Sequence, residues 1–510
     1  MYMCCGKNVA LRVCLLAILF AGGPLLKAQT PGEAQVIEID LNAASHPFPH
    51  FWEKMFGSGR AILSLRESYR DDLRETKRIT GFEYVRFHAI FHDEAGVYDE
   101  SSEGTPAYNF SYVDQIYDGV LENHVRPFIE LSFMPKKLAS DTNALHAFWY
   151  KQNVAPPKDW NKWTQLIAAF TRHLVERYGE EEVAQWYFEV WNEPNLDFWA
   201  GDPKEATYYE LYDHTARAIK SVSPRLRVGG PSTAQAAWVD RFLAHCHEKN
   251  VPVDFASTHV YGNDRAEDVF ATHEKISRTQ MVCRAVKKVH DQIVASPYPN
   301  TPLIWSEFNA SYMNEPAVTD TAFMGPWMAD TIRQCDGLTA MMSYWTFSDV
   351  FEEQGVVKSP FYGGFGLLAE RSIPKAAFND FALLHRLGDT RIDVKSDSAL
   401  VTRTKSGGLA IAAWNLFLPE EKGSPKKVTL HFPKSLSGKS ARVTVVDADH
   451  GSPLAAFEKM GRPPFPGREQ IEALRKAGAM PTSKTIAISN GSLSLTLEPQ
   501  ALALIEIATR

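Results

Sequence analysis

Two glutamates stand where a strand-forming pattern breaks off. In Trp186-Tyr187-Phe188-Glu189-Val190-Trp191-Asn192-Glu193-Pro194-Asn195 a β-branched and aromatic run stops at Asn-Glu-Pro. Glu193 therefore falls at a strand end, between an amide side chain and a proline that keeps the strand from continuing. Leu303-Ile304-Trp305-Ser306-Glu307-Phe308-Asn309 is built alike, with Glu307 at its end. Two carboxyls facing each other across a pocket are what glycosidic bond cleavage needs: one protonates the leaving oxygen, and the other attacks the anomeric carbon or activates water. The carboxyls lie about 5 to 5.5 Å apart in retaining enzymes and about 6.5 to 9.5 Å apart in inverting ones. The acid requires a raised pKa while the nucleophile stays ionised, so the two surroundings must differ.

Other side chains fall at comparable places. His88 closes Tyr84-Val85-Arg86-Phe87-His88, with Asp93 just beyond it, and His259 and Tyr261 close Phe255-Ala256-Ser257-Thr258-His259-Val260-Tyr261. His259 and Tyr261 lie on the strand between the two glutamates, placed to hydrogen-bond Glu307 and keep it charged. Asn192 is placed to hold a sugar hydroxyl in the transition state. Trp345, in Tyr344-Trp345-Thr346-Phe347-Ser348-Asp349-Val350-Phe351, offers an aromatic face to a sugar ring, and Glu352 and Glu353 follow as candidates for its hydroxyls.

Only a closed scaffold brings residues so distant in sequence together. Between about 50 and 390, eight strand candidates alternate with segments of helical period: 55–57, 84–88, 126–131, 186–191, 227–230, 255–261, 303–307 and 338–345. This predicts an α/β fold, a (β/α)8 TIM barrel, over residues 49–388. In such a barrel chemistry collects at the C-terminal ends of the strands, where the polar residues above fall. After 390 the texture changes to short, partly alternating runs such as Leu409–Trp414, Ser492–Leu497 and Ala501–Ile505, which predicts a C-terminal β-sandwich over 389–510. Residues 29–48 carry a strand-like run, Val36–Leu41, available to pair with that sandwich.

The 54 basic and 61 acidic residues give a formal charge of −7. The first 28 residues hold Lys7, Arg12 and Lys27 and no acid, so the remainder is more acidic still. Such a chain lacks the clustered Lys and Arg that nucleic-acid binding needs. Lys7 and Arg12 precede or flank the apolar run Val13–Phe20, followed by Gly22-Gly23-Pro24 and Ala28. This reads as an export signal over residues 1–28, which predicts a periplasmic or extracellular protein with no membrane association after its removal. Of six cysteines, Cys246, Cys283 and Cys335 lie beyond that segment, far apart and without CxxC spacing. Their spacing implies neither a disulfide framework nor a zinc site, and the odd count predicts at least one buried thiol.

The chain resembles glycoside hydrolase family 39, specifically its bacterial β-xylosidases. The resemblance rests on Tyr84–His88, Arg126–Pro135, Phe188–Leu196, Val228–Pro231, Ser343–Glu353 and Gly363–Leu367, and continues into Met460–Pro463. It implies a barrel plus β-sandwich, no cofactor and no metal, and a retaining double displacement with Glu193 as general acid/base and Glu307 as nucleophile. It places Asn192, His259, Tyr261 and the Tyr344–Glu353 segment around the terminal sugar. His88, Tyr312, Trp345, Glu352, Glu353 and Phe365 complete the candidate substrate contacts. The expected substrate is a β-1,4-xylo-oligosaccharide cleaved at its non-reducing end, and a homo-oligomer is compatible with the sequence. The alternatives are another specificity of the family, α-L-arabinopyranosidase or α-L-iduronidase, and a non-catalytic carbohydrate-binding protein. Two acidic residues near the sugar would repel a uronate.

Overall fold

The computed structural model describes residues 35–508. The proposed export signal lies outside them. Eight parallel strands close a barrel. They follow two N-terminal strands, β1 (Gln35–Glu38) and β2 (Ser45–Pro47), and are β3 (Met55–Gly57), β4 (Tyr84–Phe87), β5 (Arg126–Leu131), β6 (Tyr187–Val190), β7 (Arg227–Thr233), β8 (Phe255–Tyr261), β9 (Leu303–Asn309) and β10 (Met341–Tyr344). Each runs beside its sequence neighbour, and β10 closes the ring onto β3 through the pairs Ser343 with Met55 and Tyr344 with Phe56. All eight strands coincide with the sequence expectation, because each is buried on both faces and reads as an apolar, β-branched or aromatic run.

Side chains two apart along a strand share a face, and this sets the barrel's layers. Met55, Phe128, Phe255, Ile304 and Met341 fill the lower interior, with Tyr84 and Tyr187 against them. Two residues further along, Arg86, Glu130 and Glu189 occupy the next level, all buried. Long amphipathic helices such as Trp160–Tyr178, Lys204–Val222 and Arg278–Val294 cover the outside. Asp159 caps the first by accepting from the backbone N–H groups of Asn161 and Lys162.

The C-terminal sandwich is built from β11 (Thr390–Ile392), β12 (Ala399–Arg403), β13 (Leu409–Trp414), β14 (Lys426–His431), β15 (Ser440–Val446), β16 (Lys484–Ala487), β17 (Ser492–Leu497) and β18 (Leu502–Ile507). One sheet runs β2-β11-β12-β13-β18-β15-β16 and the other β1-β14-β17. Ile37, Val401, Ile411, Leu430, Leu493 and Ile505 meet between them. The N-terminal segment therefore joins both sheets, with β1 parallel to β14 and β2 antiparallel to β11. The alternating runs after residue 390 do not reveal two helices inserted between β15 and β16, Leu454–Lys459 and Arg468–Ala477. Phe457 and Leu474 of this insert pack on Phe361, Ala369 and Ile373 of the barrel's last loop.

The cysteines need a correction. Cys283 and Cys335 form a disulfide, their Cα atoms 5.4 Å apart, and Cys246 is a buried free thiol. Spacing along the chain could not show this. The bond joins the helix Arg278–Val294 to the helix Met324–Cys335, which pack side by side because their strands β8, β9 and β10 are neighbours.

Candidate active site

A cavity of about 660 Å³ opens at the C-terminal ends of the strands, and Glu193 and Glu307 both line it. Glu193 is delivered by the break after β6. The strand ends at Val190, and Trp191 and Glu193 both take positive φ, 72° and 44°, backbone geometry that non-glycine residues hold only where surrounding contacts enforce it. Those contacts are present: Glu193 N–H donates to the Ser232 carbonyl at 2.7 Å, and Trp191 Nε1 to the Phe198 carbonyl at 2.7 Å. Glu307 sits within β9, opposite His259 of β8. A carboxylate oxygen of Glu193, one of Glu307 and a nitrogen of His259 lie within 4.8 Å of one another. One oxygen of each carboxyl thus comes within the range in which a retaining pair is held, about 5 to 5.5 Å between carboxyl groups.

The two carboxyls have different surroundings. Glu307 Oε1 accepts from Arg86 Nη1 at 2.6 Å, and its Oε2 accepts from the Tyr261 hydroxyl at 2.6 Å. Burial raises its pKa, while Arg86, His88 and the Tyr261 hydrogen bond pull it back. Among the described residues Glu193 has no such cation in contact. Burial and then the negative field of Glu307 push its pKa well above the carboxylate range. Its Oε1 lies 2.9 Å from His259 Nδ1, whose Nε2 faces Ser306 Oγ at 3.1 Å. Burial, then Arg86 and His88, hold the His259 pKa well below its ordinary value, so the ring is neutral. A neutral ring donating from Nε2 to Ser306 leaves Nδ1 free to accept the Glu193 proton. Of two coupled carboxyls this close, one stays protonated, and the contacts select Glu193.

Beneath them, one guanidinium organises the layer. Arg86 reaches Glu130 Oε2 at 2.7 Å, Glu189 Oε2 at 2.6 Å, Glu307 Oε1 at 2.6 Å and Asn192 Oδ1 at 2.9 Å. By accepting from Arg86, the Asn192 carbonyl turns its amide N–H₂ toward the cavity. His88 Nδ1 lies 2.7 Å from Glu130 Oε2, and its Nε2 lies 3.5 Å from Glu353 Oε1. Burial opposes its charge, but Glu130, Glu353 and Glu307 outweigh that and raise its pKa to about 10. The wall beside this group is aromatic: Tyr261, Trp345, Phe351 and Phe365 form one cluster, and Tyr312 stands edge-on to Tyr261 with 51% of its surface exposed. A Cβ on Gly57 would come within 2.1 Å of Trp345, so only glycine lets the indole lie there.

Of the residues singled out from sequence, His88, Asn192, Glu193, Tyr261, Glu307, Tyr312, Trp345, Glu353 and Phe365 line the cavity. Two do not. His259 is fully buried behind Glu193 and hydrogen-bonds that residue rather than Glu307 or a ligand, because β8 places its ring below the cavity floor. Glu352 points the opposite way from Glu353 and is bound by Arg60 and Arg66 at 3.2 and 2.5 Å. Asp93 sits in a short turn, accepting from Lys136 N. The sequence reading missed Arg86, Glu130 and Glu189. Their signal was a charged residue inside each of three neighbouring apolar strands, at one barrel level, where burial demands a partner. It also missed Asp264, whose carboxyl lines the cavity, accepts from Tyr261 N at 2.7 Å and is pushed by burial to about 7.

The fold and the paired carboxyls define a barrel enzyme of the glycoside hydrolase class. The sequence matches the description "Glycosyl hydrolases family 39" over residues 35–492, and the chain belongs to that family. It is 40% identical to a β-xylosidase of Geobacillus stearothermophilus, covering 93% of this chain and 95% of that protein. It is 38% identical to a β-xylosidase of Caldicellulosiruptor saccharolyticus over 85% of this chain and 89% of the relative. The crystal structure of a monomeric β-xylosidase from Caulobacter crescentus CB15 superposes with a TM-score of 0.83 at 36% identity, covering 93% of this chain and 99% of the other.

Proposed function

We propose that this enzyme is an exo-acting, retaining β-xylosidase that removes D-xylose from the non-reducing end of β-1,4-xylo-oligosaccharides. The observation that carries the reading is the separation of no more than 4.8 Å between carboxyl oxygens of Glu193 and Glu307, in a chain whose full-length relatives above are β-xylosidases. Glu307, ionised against Arg86, attacks the anomeric carbon as Glu193 gives its proton to the leaving oxygen. The C1–O bond to the aglycone breaks and a covalent xylosyl-Glu307 ester forms. Glu193, now a carboxylate, takes a proton from water, whose oxygen attacks C1 and releases Glu307. Tyr261, Asn192 and the His88–Glu353 pair are positioned to meet the sugar's hydroxyls and ring oxygen, and Trp345 and Phe365 to cover its apolar face. A uronic acid would set its carboxylate among Glu353, Asp264 and the catalytic pair, which disfavours an iduronidase.

The same reading includes export. The Cys283–Cys335 disulfide supports it, because such bonds persist in oxidising compartments. The functional test is proton NMR of an aryl β-xyloside during turnover. β-Xylose as the first anomer is expected; α-xylose first would replace the double displacement by inversion, and no xylose would redirect the search to arabinopyranosides and iduronides.

A further inference from the structure

At the end of the barrel opposite the catalytic cavity, Glu53 stands just before the start of β3. Its side chain is 2% exposed, and a Cβ on Gly81 would come within 3.2 Å of its Oε1, so the carboxyl occupies space that glycine leaves. A carboxylate this deep needs a cation or strong donors. Among the described residues no lysine or arginine reaches it, and two imidazoles do. His50 Nδ1 lies 2.7 Å from Oε1, and His385 Nδ1 lies 2.9 Å from both Oε1 and Oε2. Burial raises the Glu53 pKa, but the hydrogen bonds with His385 and His50 outweigh it and hold the carboxyl below its ordinary value, so it is ionised.

His385 is 332 residues from Glu53 in sequence, yet the fold fixes both with His50. The His50 ring stacks on buried Trp52 with centroids 4.5 Å apart, and the carbonyl of Phe51 accepts from Met342 N–H of β10 at 3.0 Å. His385 follows the helix Ala376–Leu384, whose Phe381 packs on Phe56 of β3 and on Tyr344 of β10. The three side chains therefore meet at the seam where the last strand of the ring joins the first.

Two imidazole nitrogens and a carboxylate oxygen within 4.8 Å of one another make a donor set suited to a divalent transition metal. Around zinc such donors bond at about 2.0 to 2.2 Å and stand about 3.3 Å from each other, so each imidazole need draw back by only about half an ångström. His50 and His385 are 20% and 43% exposed, which gives the rings room to turn, the ion a way in and water a place as fourth ligand. The comparable groups in the catalytic layer both include Glu307, where Arg86 already supplies the positive charge. Glu53 has no permanent cation of this kind among the described residues.

We propose that His50, Glu53 and His385 form a structural site for a divalent transition-metal ion such as Zn²⁺, which ties the chain entering the barrel to the helix that completes it. This face of a TIM barrel serves stability rather than chemistry. An ion held only by the folded chain stabilises it by mass action.

The test takes the full-length enzyme, stripped with a chelator, and titrates it with zinc chloride alone. Calorimetry should show one equivalent bound, Tm should rise by several degrees at saturation, and hydrolysis of an aryl glycoside should keep its kcat. His385→Gln and His50→Gln each retain an amide that donates to Glu53 and lose the imidazole. Each should weaken binding by more than about 100-fold, beyond the loss typical of a residue that only supports a ligand, and should abolish the Tm gain. Anomalous diffraction at the zinc edge, from wild-type crystals grown with one equivalent of Zn²⁺, locates the ion without any variant. No stoichiometric binding, binding undiminished in the variants, or an anomalous peak away from Glu53 would each overturn the site. Zn²⁺ that inhibits hydrolysis equally in wild type and variants would overturn it too, by placing the ion in the catalytic cavity.

Discussion

His259 Nδ1 and Glu193 Oε1 lie 2.9 Å apart, and the imidazole is a neutral, fully buried ring. Glu193, the proposed acid, thus faces a group that does not itself carry charge, while Glu307, the proposed nucleophile, is held by two donors, Arg86 and Tyr261. The division of labour between two identical carboxyls is set by these partners.

Replacing each carboxyl should have a different outcome. Glu307→Ala is expected to abolish turnover of every glycoside, since no covalent intermediate forms. Glu193→Ala should slow poor leaving groups by about 10² to 10⁴-fold, the usual contribution of a positioned acid. It should spare the first step on activated aryl xylosides, and azide should restore turnover and yield β-xylosyl azide. Unchanged hydrolysis of xylobiose by Glu193→Ala would exclude Glu193 as the acid.

The pH profile follows from the two shifts. Both carboxyls are raised, Glu193 the more, so activity requires one proton on the pair. kcat/KM should fall on the acid side as Glu307 gains a proton and on the alkaline side as Glu193 loses its own. The optimum should stand above the ordinary glutamate pKa of about 4.3. With an activated aryl xyloside, Glu193→Gln should remove the alkaline limb and leave the acid limb. An alkaline limb that persists in this variant assigns it to another group.

Arg86 contacts Glu130, Glu189 and Glu307 at once, with His88 beside Glu130 as a second cation. Arg86→Met leaves three buried carboxylates without it, a loss that for a buried ion pair costs about 3 to 5 kcal/mol. Chemical denaturation should show a lowered midpoint, and any folded enzyme should show a raised acid limb, because Glu307 loses its neighbouring charge. A variant with wild-type stability and pH profile would remove Arg86 from both roles.

His88 makes stability depend on alkaline pH. Its folded pKa, about 10, lies above the ordinary value of 6.5. Its contribution is therefore complete below about pH 6.5 and is lost as pH rises through about 10. The wild-type Tm should fall over that window, and His88→Gln should start lower and fall less. Parallel pH curves for the two proteins would mean that His88 is not charged in the folded state.

The disulfide closes a segment of 52 residues, for which the chain-entropy estimate is about 4 kcal/mol. Cys283→Ser should lower the unfolding midpoint accordingly. Alkylation of the denatured, unreduced protein should modify Cys246 but neither Cys283 nor Cys335. Full alkylation of all three would exclude the bond.

What the sequence discloses depends on whether a residue's partner is encoded nearby. Glu193 is legible because it follows the break of its strand pattern and Glu307 because it is a charged residue near the end of an apolar strand, and the strands are legible because double-sided burial writes an unbroken apolar run. Arg86, Glu130 and Glu189 sit inside such runs, and reading them as one cluster requires the barrel register that puts β4, β5 and β6 side by side. His259 was placed on the correct strand yet assigned to the wrong carboxyl, a matter of one side-chain direction. Glu352 and Glu353 are adjacent and chemically identical, and only Arg60 and Arg66, almost 300 residues earlier, decide which of them turns from the cavity. The helices Leu454–Lys459 and Arg468–Ala477 and the Cys283–Cys335 bond are fixed by packing between distant segments.

The sheets of the sandwich take their outermost or edge strands, β1 and β2, from residues 35–47, while the strands they pair with, β14 and β11, come after residue 389. During synthesis from the N-terminus these two segments emerge first and find partners last, with the entire barrel made in between. A barrel cut out at residue 388 would keep both strands permanently unpaired, so the catalytic domain cannot be isolated cleanly by trimming the C-terminus alone.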